Sequence, residues 1–374
     1  MNQALRDLAF KLIEAAKERG NSFNSLVGFD GFIDEIFRVI KRRRSTSEYE
    51  LFQTIQEFAD YIQEHSGRSS DLEILLQEVK LGGNAPILAN ALAELGSHVS
   101  CIGTFGKPEL HKVFTEVSPN CQLTSLGEPN VTHAFEFNDG KLMFGQTESL
   151  NNIDWTHIKA VIGLPTILSL VEASEFIGIT NWSATIQMDS ILEGLLNQVF
   201  PFVQSGLGKS KYCFFDIADP SRRQTEELRH FLSRVSCFSA YSNVILGLNE
   251  KEAEIVFKVL RPERRGRSIN QIGKAIFDAL EIQCLVIHET ESAIGFSGEE
   301  IQEVPGFYVR SPRLSTGGGD NFNAGFGLGW LLGFSLQESL ILGNSVSSFY
   351  VANGFSPTID QLIQFLLVKS DEDI

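Results

Sequence analysis

Short, almost continuously apolar runs alternate along this chain with longer segments of helical periodicity. Leu26-Val27-Gly28-Phe29 opens the first run; His98 to Gly103, Lys159 to Leu164, Tyr212 to Ile217, Asn243 to Leu248 and Gln283 to His288 follow. Each reads as a strand with both faces covered, as in a parallel sheet. Between them Ala85 to Gly96 predicts a helix. Beyond residue 320 two more are expected. Phe322, Phe326 and Trp330 fall on one face at i, i+4, i+8, and Ser335-Leu336-Gln337-Glu338 is a capping box for a helix running toward Asn353-Gly354. Thr132 to Phe144 differs. Phe135-Glu136-Phe137, the turn Asn138-Asp139-Gly140 and Lys141-Leu142-Met143-Phe144 predict a hairpin outside the main sheet. The pattern is that of an α/β protein.

Composition narrows the class of function. With 374 residues, 43% hydrophobic and 21% charged, the chain can bury a large core, as one α/β domain or two smaller ones. A net charge of −16 argues against nucleic acid as a main partner, because duplex binding neutralises phosphates with cations. The basic runs Lys41 to Arg44 and Arg261 to Arg267 read as solvated faces. Five cysteines without C-x-x-C spacing predict free thiols in a reducing compartment, and the seven histidines form no H-x-x-x-H pair. Met1 to Gly20 is charged throughout, so it predicts an amphipathic helix rather than a signal peptide. No apolar run reaches transmembrane length. A cytoplasmic protein without a membrane partner is expected.

Four segments carry candidate chemistry. Ser315-Thr316-Gly317-Gly318-Gly319-Asp320 runs into a helix, Phe322-Asn323-Ala324-Gly325 and onward. Glycines let a ligand approach the backbone, and the first helical turn offers unpaired N–H groups to a phosphate. Asp320 would repel that phosphate unless it takes a proton from an attacking hydroxyl; otherwise it is a helix cap. In Asp30-Gly31-Phe32-Ile33-Asp34, a strand would place Asp30, Phe32 and Asp34 on one face, suiting a polyol, or would be a plain exposed edge. Gly82-Gly83-Asn84 is either a ligand-binding turn or a strand-to-helix turn with Asn84 as N-cap. Asn249 and Glu252 could hold hydrated magnesium, or could cap a helix, or both.

Taken jointly and in this order, these segments resemble the ribokinase-like, or PfkB, carbohydrate kinases, from about Leu26 to the C-terminus. Leu81-Gly82-Gly83 through Leu95-Gly96 is similar to the family's N-terminal signature. Thr316 to Gly325 is similar to its C-terminal one, and Asn249 to Glu252 matches its N-x-x-E element. The resemblance implies a three-layer α/β/α fold with a mostly parallel central sheet and a small β-lid. It implies one kinase domain over 1–374, a helical extension at about 1–22, and lid strands from about 35–44, 72–83 and 120–148. It implies transfer of the γ-phosphate of ATP to a hydroxymethyl group, with Asp320 as base and Gly317, Gly318, Gly319 and Asp320 as a backbone anion hole. Asp30, Asp34, Gly82, Gly83 and Asn84 would bind substrate; Asn249, Thr316 and Asn344 would face the nucleotide. Glu252 would hold Mg2+ through water, with room for a monovalent cation such as K+. A neutral sugar, a sugar acid or a nucleoside is the expected substrate, since no cationic site for a phosphorylated sugar is visible, and a lid-mediated homodimer is common in similar proteins.

Three departures stand out. Ile287-His288-Glu289-Thr290-Glu291-Ser292 occupies the place of the family's T-x-G-x-x-G, bringing two acids toward a triphosphate. Ile87 replaces an Asn of the first signature, and Thr104 to Lys107 lacks the usual Gly-Asp ending. A ribokinase-like protein that binds ligand without effective catalysis therefore stays open as the other reading. A dinucleotide oxidoreductase does not fit, because no G-x-G-x-x-G follows the first strand.

Overall fold

In the computed structural model most of the apolar runs become strands of a nine-stranded sheet, ordered β14-β13-β12-β11-β10-β9-β1-β5-β6. These strands are β1 (Asn24–Gly28), β5 (His98–Gly103), β6 (Cys121–Ser125), β9 (Phe176–Ile179), β10 (Tyr212–Asp216), β11 (Asn243–Asn249), β12 (Cys284–His288), β13 (Ser292–Ser297) and β14 (Glu300–Pro305). Pairing is parallel from β6 through β12; β13 and β14 finish the edge antiparallel. The structure describes residues 2–19, 23–203, 211–263, 268–314 and 316–372. Ser315 of the glycine motif, residues 264–267 of the second basic run, and residues 1 and 20–22 of the N-terminal extension lie outside the described residues.

The apolar runs are continuous because successive residues feed opposite cores. Cys213 and Phe215 pack into one core and Phe214 into the other; Leu285 and Ile287 likewise flank Val286. The first core is closed by α4 (Glu148–Asn151), α5 (Trp155–Ile162), α6 (Leu164–Ala173), α7 (Met188–Gln198), α8 (Thr225–Cys237), α9 (Glu250–Leu260) and α10 (Ile269–Phe277). The second is closed by α1 (Asn2–Arg19), α3 (Asn84–Glu94), α11 (Gly318–Leu332), α12 (Leu336–Asn353) and α13 (Ile359–Asp371). The N-terminal helix is thus part of the packing. Leu5, Leu8, Ala9 and Leu12 are buried, and Arg6 pairs with Asp371 at the end of α13.

A separate five-stranded sheet holds β2 (Phe32–Arg43), β3 (Tyr49–Leu51), β4 (Glu73–Gly82), β7 (Asn130–Phe137) and β8 (Gly140–Gln146), with α2 (Ile55–Glu64) packed on part of it. The predicted hairpin is β7–β8, registered from Val131–Gln146 to Phe137–Gly140. Of the range 120–148, only the part from Asn130 joins this sheet through strands; β6 is an edge of the large one.

One expected strand is wrong. Lys159 to Ile162 ends α5, whose Asp154 cap accepts from the His157 N–H at 2.7 Å. Trp155 and Ile158, three apart, bury one helical face, and Gly163 at φ +87° turns the chain directly into α6. The strand that fills this place in the sheet is the four-residue β9.

Candidate active site

Parallel strands end on a common edge, and the order of this sheet reverses at β1. After it the chain adds β5 and β6 on one side, then β9 to β12 on the other. Crevices of α/β sheets lie beyond the strand ends at such a switch point. Asp30 follows β1 there, Asn181 follows β9, Asp216 ends β10, and Asn249 ends β11. Asn181 and Ala218 are the only non-glycine residues with positive φ among the described residues, +56° and +52°. Such backbone concentrates at functional sites.

The glycine motif delivers its acid to this crevice. Gly317, at φ +91°, caps α11, so the N–H groups of Gly318, Gly319 and Asp320 fall in its first turn without intrahelical partners. The helix lies close against α12. A Cβ on Gly325 would stand 2.6 Å from the Leu342 carbonyl oxygen, and one on Gly329 2.5 Å from Ser339 Oγ. Tyr350 donates its hydroxyl to the Thr316 carbonyl at 3.0 Å, which fixes the residue before the turn. Asp320 is buried and accepts from Asn84 Nδ2 at 3.0 Å. Burial raises its pKa well above the usual carboxylate range, and the nearby Asp216, Asp30 and Glu252 raise it further against the Asn84 hydrogen bond. The result is an unusually basic carboxylate beside a row of unpaired N–H groups.

The N-terminus of α3 meets it. Gly83, at φ +93°, is the N-cap, so Asn84 is the first helical residue and not the cap considered from sequence. The cap's work is done from outside the helix. Asp30 accepts from Asn84 N at 3.0 Å, Ala85 N at 2.7 Å and Asn181 Nδ2 at 2.6 Å. Asp30 therefore does not share a strand face with Asp34, as the sequence suggested: β2 begins only at Phe32, and both Asp30 oxygens are taken by protein donors. Asp34 does stand on β2, buried, with Gly82 beside it. A Cβ on Gly82 would fall 2.3 Å from Asp34 Oδ1. Burial pushes the Asp34 pKa up to about 6, opposed by Lys80 and by the Thr132 hydroxyl. Ile87 is buried, its Cγ2 3.3 Å from where a Cβ on Gly317 would be. A cavity of about 510 Å³ opens behind the Gly-Gly turn, lined by Leu81, Ile87, Asn90, Leu314 and Tyr350 among others. Asp30, Asp34 and Asp320 do not line it.

At the end of β11, Asn249 and Glu252 form a reciprocal capping box. Asn249 Oδ1 accepts from Glu252 N at 2.9 Å, and Glu252 Oε2 accepts from Asn249 N at 2.8 Å. Burial and the facing Asp216 push the Glu252 pKa up to about 8, while burial takes that of Asp216 to about 6. Among the described residues no cluster of three or more His, Cys, Asp or Glu forms a metal cage. Two buried acids, of which Asp216 raises the proton affinity of Glu252, do fit a hydrated divalent cation, if phosphate oxygens supply the remaining ligands. Asn344 gives its amide hydrogens to the Val304 and Pro305 carbonyls, at 3.3 and 3.1 Å, tying α12 to β14. The Glu289 turn is a tight connection between β12 and β13. Glu289 N donates to the Ser292 carbonyl, and its carboxylate accepts from Ser292 Oγ, which draws the acid into its own turn. His288 packs on Phe322 with ring centroids 5.2 Å apart, and burial lowers its pKa to about 4, so it is neutral.

Sequence reading missed several groups here. Asp216 accepts from Asn323 Nδ2 at 2.8 Å; its signal is an acid ending an otherwise apolar run. Asn181 had no signal. Lys80 and Lys141 bring two cations to a site expected to have none; the signal was their placement on strands that alternate.

Comparison with known proteins supplies the family and the fold. The family described as prokaryotic ketohexokinase matches residues 11–368. A ketohexokinase of Haloferax volcanii is 29% identical over 356 residues, covering 94% of this chain and 93% of that protein. Among solved structures, a Xylella fastidiosa fructokinase with bound ATP superposes with a TM-score of 0.62 at 13% identity, covering 94% of this chain and 99% of that one. A ribokinase of Thermotoga maritima gives 0.61 at 15%, covering 92% and 99%. The fold is thus the ribokinase fold. The chain belongs to the prokaryotic ketohexokinase family and is an ATP-dependent PfkB-type carbohydrate kinase.

Proposed function

We propose that this kinase phosphorylates a hydroxymethyl group of a free ketohexose, with Asp320 as the general base. The observation that carries the reading is the placement of that buried, basic carboxylate in the first turn of α11, beside the unpaired N–H groups of Gly318 and Gly319. Asp320 takes the hydroxyl proton as the sugar oxygen bonds to the γ-phosphorus and the bond to the ADP oxygen breaks. The N–H groups, arriving with the helix dipole, offset charge on the transferring oxygens. Asp34, the Gly82-Gly83 backbone and Asn84 hold sugar hydroxyls, while Asp30 fixes the turn that presents them. Thr316 and the region around Asn249 and Asn344 face the nucleotide. Glu252 and Asp216 would hold Mg2+ through water, and the ion would supply charge neutralisation at the phosphates; a monovalent cation such as K+ belongs to the same reading. The five-stranded sheet acts as a lid that excludes water over the sugar. The test is ATP consumption by the purified protein over free ketohexoses, aldoses, sugar acids and nucleosides, paired with thermal unfolding. Mg-ATP should raise the melting temperature by mass action, and a ketohexose should be the best acceptor. Activity confined to nucleosides, or no thermal shift with nucleotide, would sink the reading.

A pH dependence follows from Asp34. A carboxylate accepts hydroxyl hydrogen bonds at both oxygens only when ionised, and this one ionises near pH 6. The kcat/KM for the sugar should therefore contain a rise with pH through about 6, separate from any rise that Asp320 or Glu252 adds. Asp34→Asn should raise the sugar KM and remove that step. A variant keeping the wild-type profile would take Asp34 out of sugar binding.

The lid also suggests a partner. Leu76, Val79 and Phe144 stand on its outer face at 49%, 42% and 55% exposure, an apolar surface on a sheet a second copy could cover. A cytoplasmic homodimer is expected, the location resting on the free thiols of Cys101, Cys121, Cys213, Cys237 and Cys284. Light scattering should report a dimer that Phe144→Asp converts to monomer; a monomeric parent protein would refute the interface. Among the described residues no single helix is long and apolar enough to cross a membrane.

A further inference from the structure

The inner face of the small sheet carries charges that the reaction above leaves unused. Strand register sets Lys80 opposite Asp34, Thr132 beside Asp34, and Lys141 opposite Glu136. Side chains alternate along a strand, so all five share one face. That face looks onto the glycine motif, because Lys141 Nζ reaches Thr316 Oγ1 at 3.4 Å. Thr316 directly precedes Gly317, so an ammonium borne by the small sheet lies at the mouth of the N–H groups that open α11. Glu136 steadies it at 2.9 Å.

Lys80 is in a different state. Its Nζ is shielded from solvent and has no hydrogen-bond partner among the described residues. Burial lowers its pKa; Asp34 opposes that, and the like charge of Lys141 adds to it. A shielded ammonium without acceptors is unfavourable. An anion placed between the two lysines would supply acceptors to both and relieve their repulsion.

We infer that Lys80 and Lys141 form the lid half of the phosphoryl site, closing over the γ-phosphoryl group opposite the N–H groups of Gly318 to Asp320. The inference deepens the kinase reading and rests on it. Neither lysine takes part in the proton transfer. The sugar proton goes to Asp320, the new bond joins the sugar oxygen to phosphorus, and the bonding pair of the broken P–O bond leaves on ADP. The lysines offset charge on the equatorial oxygens, which grows most important in the transition state. Because they ride on the small sheet, the full electrostatic field exists only when that sheet covers the cleft. Phosphate already attached to a sugar would satisfy the same two cations. The contact with Thr316, next to the anion hole, favours the transferring group.

The test uses the full-length enzyme and its Lys141→Met, Lys141→Arg and Lys80→Met variants. Steady-state rates are measured with ATP and a free ketohexose, and with a ketohexose monophosphate. Affinity for ADP with aluminium fluoride, a mimic of the phosphoryl in transit, is measured in the presence of sugar. Lys141→Met should lower kcat on the free sugar about 100-fold, leave the sugar KM nearly unchanged and weaken the aluminium fluoride complex in parallel. Lys141→Arg should recover much of both, and Lys80→Met should act in the same direction. Lys141 stands on a strand of the lid outside the apolar cores, and thermal melting checks that its variants fold. Unaltered kcat and aluminium fluoride affinity would overturn the inference. So would a loss confined to the KM of the sugar phosphate, which would assign the lysines to a substrate phosphate. An active wild type with indifferent variants removes this inference alone, whereas a wild type inactive on every sugar removes the kinase reading with it.

Discussion

Asp320→Asn should lower kcat by about 100- to 10,000-fold or more while leaving sugar affinity largely intact. The substitution keeps the shape and the acceptor for Asn84 Nδ2, and it deletes only the ability to take a proton. It also removes a buried charge pressed by Asp216, Asp30 and Glu252, so the variant should melt no lower than the parent. Phosphate transfer followed by coupled ADP release gives the rate, and calorimetric titration with sugar gives the affinity. A variant with normal turnover would end the role of Asp320. One that lost sugar binding in proportion to rate would make it a substrate ligand instead.

Gly317→Ala is the second large effect expected. The residue sits at φ +91°, where a side chain strains the backbone by about 1–3 kcal/mol, and its Cβ would meet Tyr350 Oη at 2.8 Å. Neither the tyrosine, bonded to the Thr316 carbonyl, nor Ile87 behind it can move without shifting the turn. Displacing the N–H groups by a fraction of an ångström should lower kcat by about 10- to 100-fold, with a smaller fall in stability. Adding Tyr350→Phe removes the closest clash but not the backbone strain, so the double variant should recover part of the rate. Wild-type kcat in the single variant would show that the turn tolerates a left-handed alanine and that the N–H placement is not critical.

How far the sequence reveals this site depends on which physical rule each residue obeys. Tyr212 to Asp216 and Cys284 to His288 are legible because a strand covered on both faces must be apolar throughout. Lys159 to Ile162 is just as apolar, yet belongs to a helix. Trp155 and Ile158 bury one face three residues apart, and a run this short cannot distinguish the two periods. Phe176–Ile179 is hard to see in the sequence, because four residues containing a glycine give little signal. The glycine motif is legible as a helix start, since the absence of side chains and the helix that follows are both local facts. The role of Asp30 is not legible, because its partners Asn84, Ala85 and Asn181 come from segments 54 to 151 residues away. Lys80 and Lys141 fall between these cases. Alternation shows that each is on a strand face, but not which face looks at the phosphate turn.

The hydrogen bond between Asn84 and Asp320 spans 236 residues of chain. Its two helices, α3 and α11, also share one core, with Ala85, Leu88 and Ala89 packed beside Phe322 and Phe326. During synthesis β1 and β5 can cover part of α3, but the side that meets α11 stays uncovered until almost the whole polypeptide has been made. On the proposed roles, a nascent chain that has not yet produced α11 holds the sugar-side turn but neither Asp320 nor the N–H groups beside it, so it cannot burn ATP. The same delay leaves one side of an alanine-rich helix for chaperones to shield, and mutations that slow the docking of α11 should reduce yield in the cell before they reduce the activity of the protein that does fold.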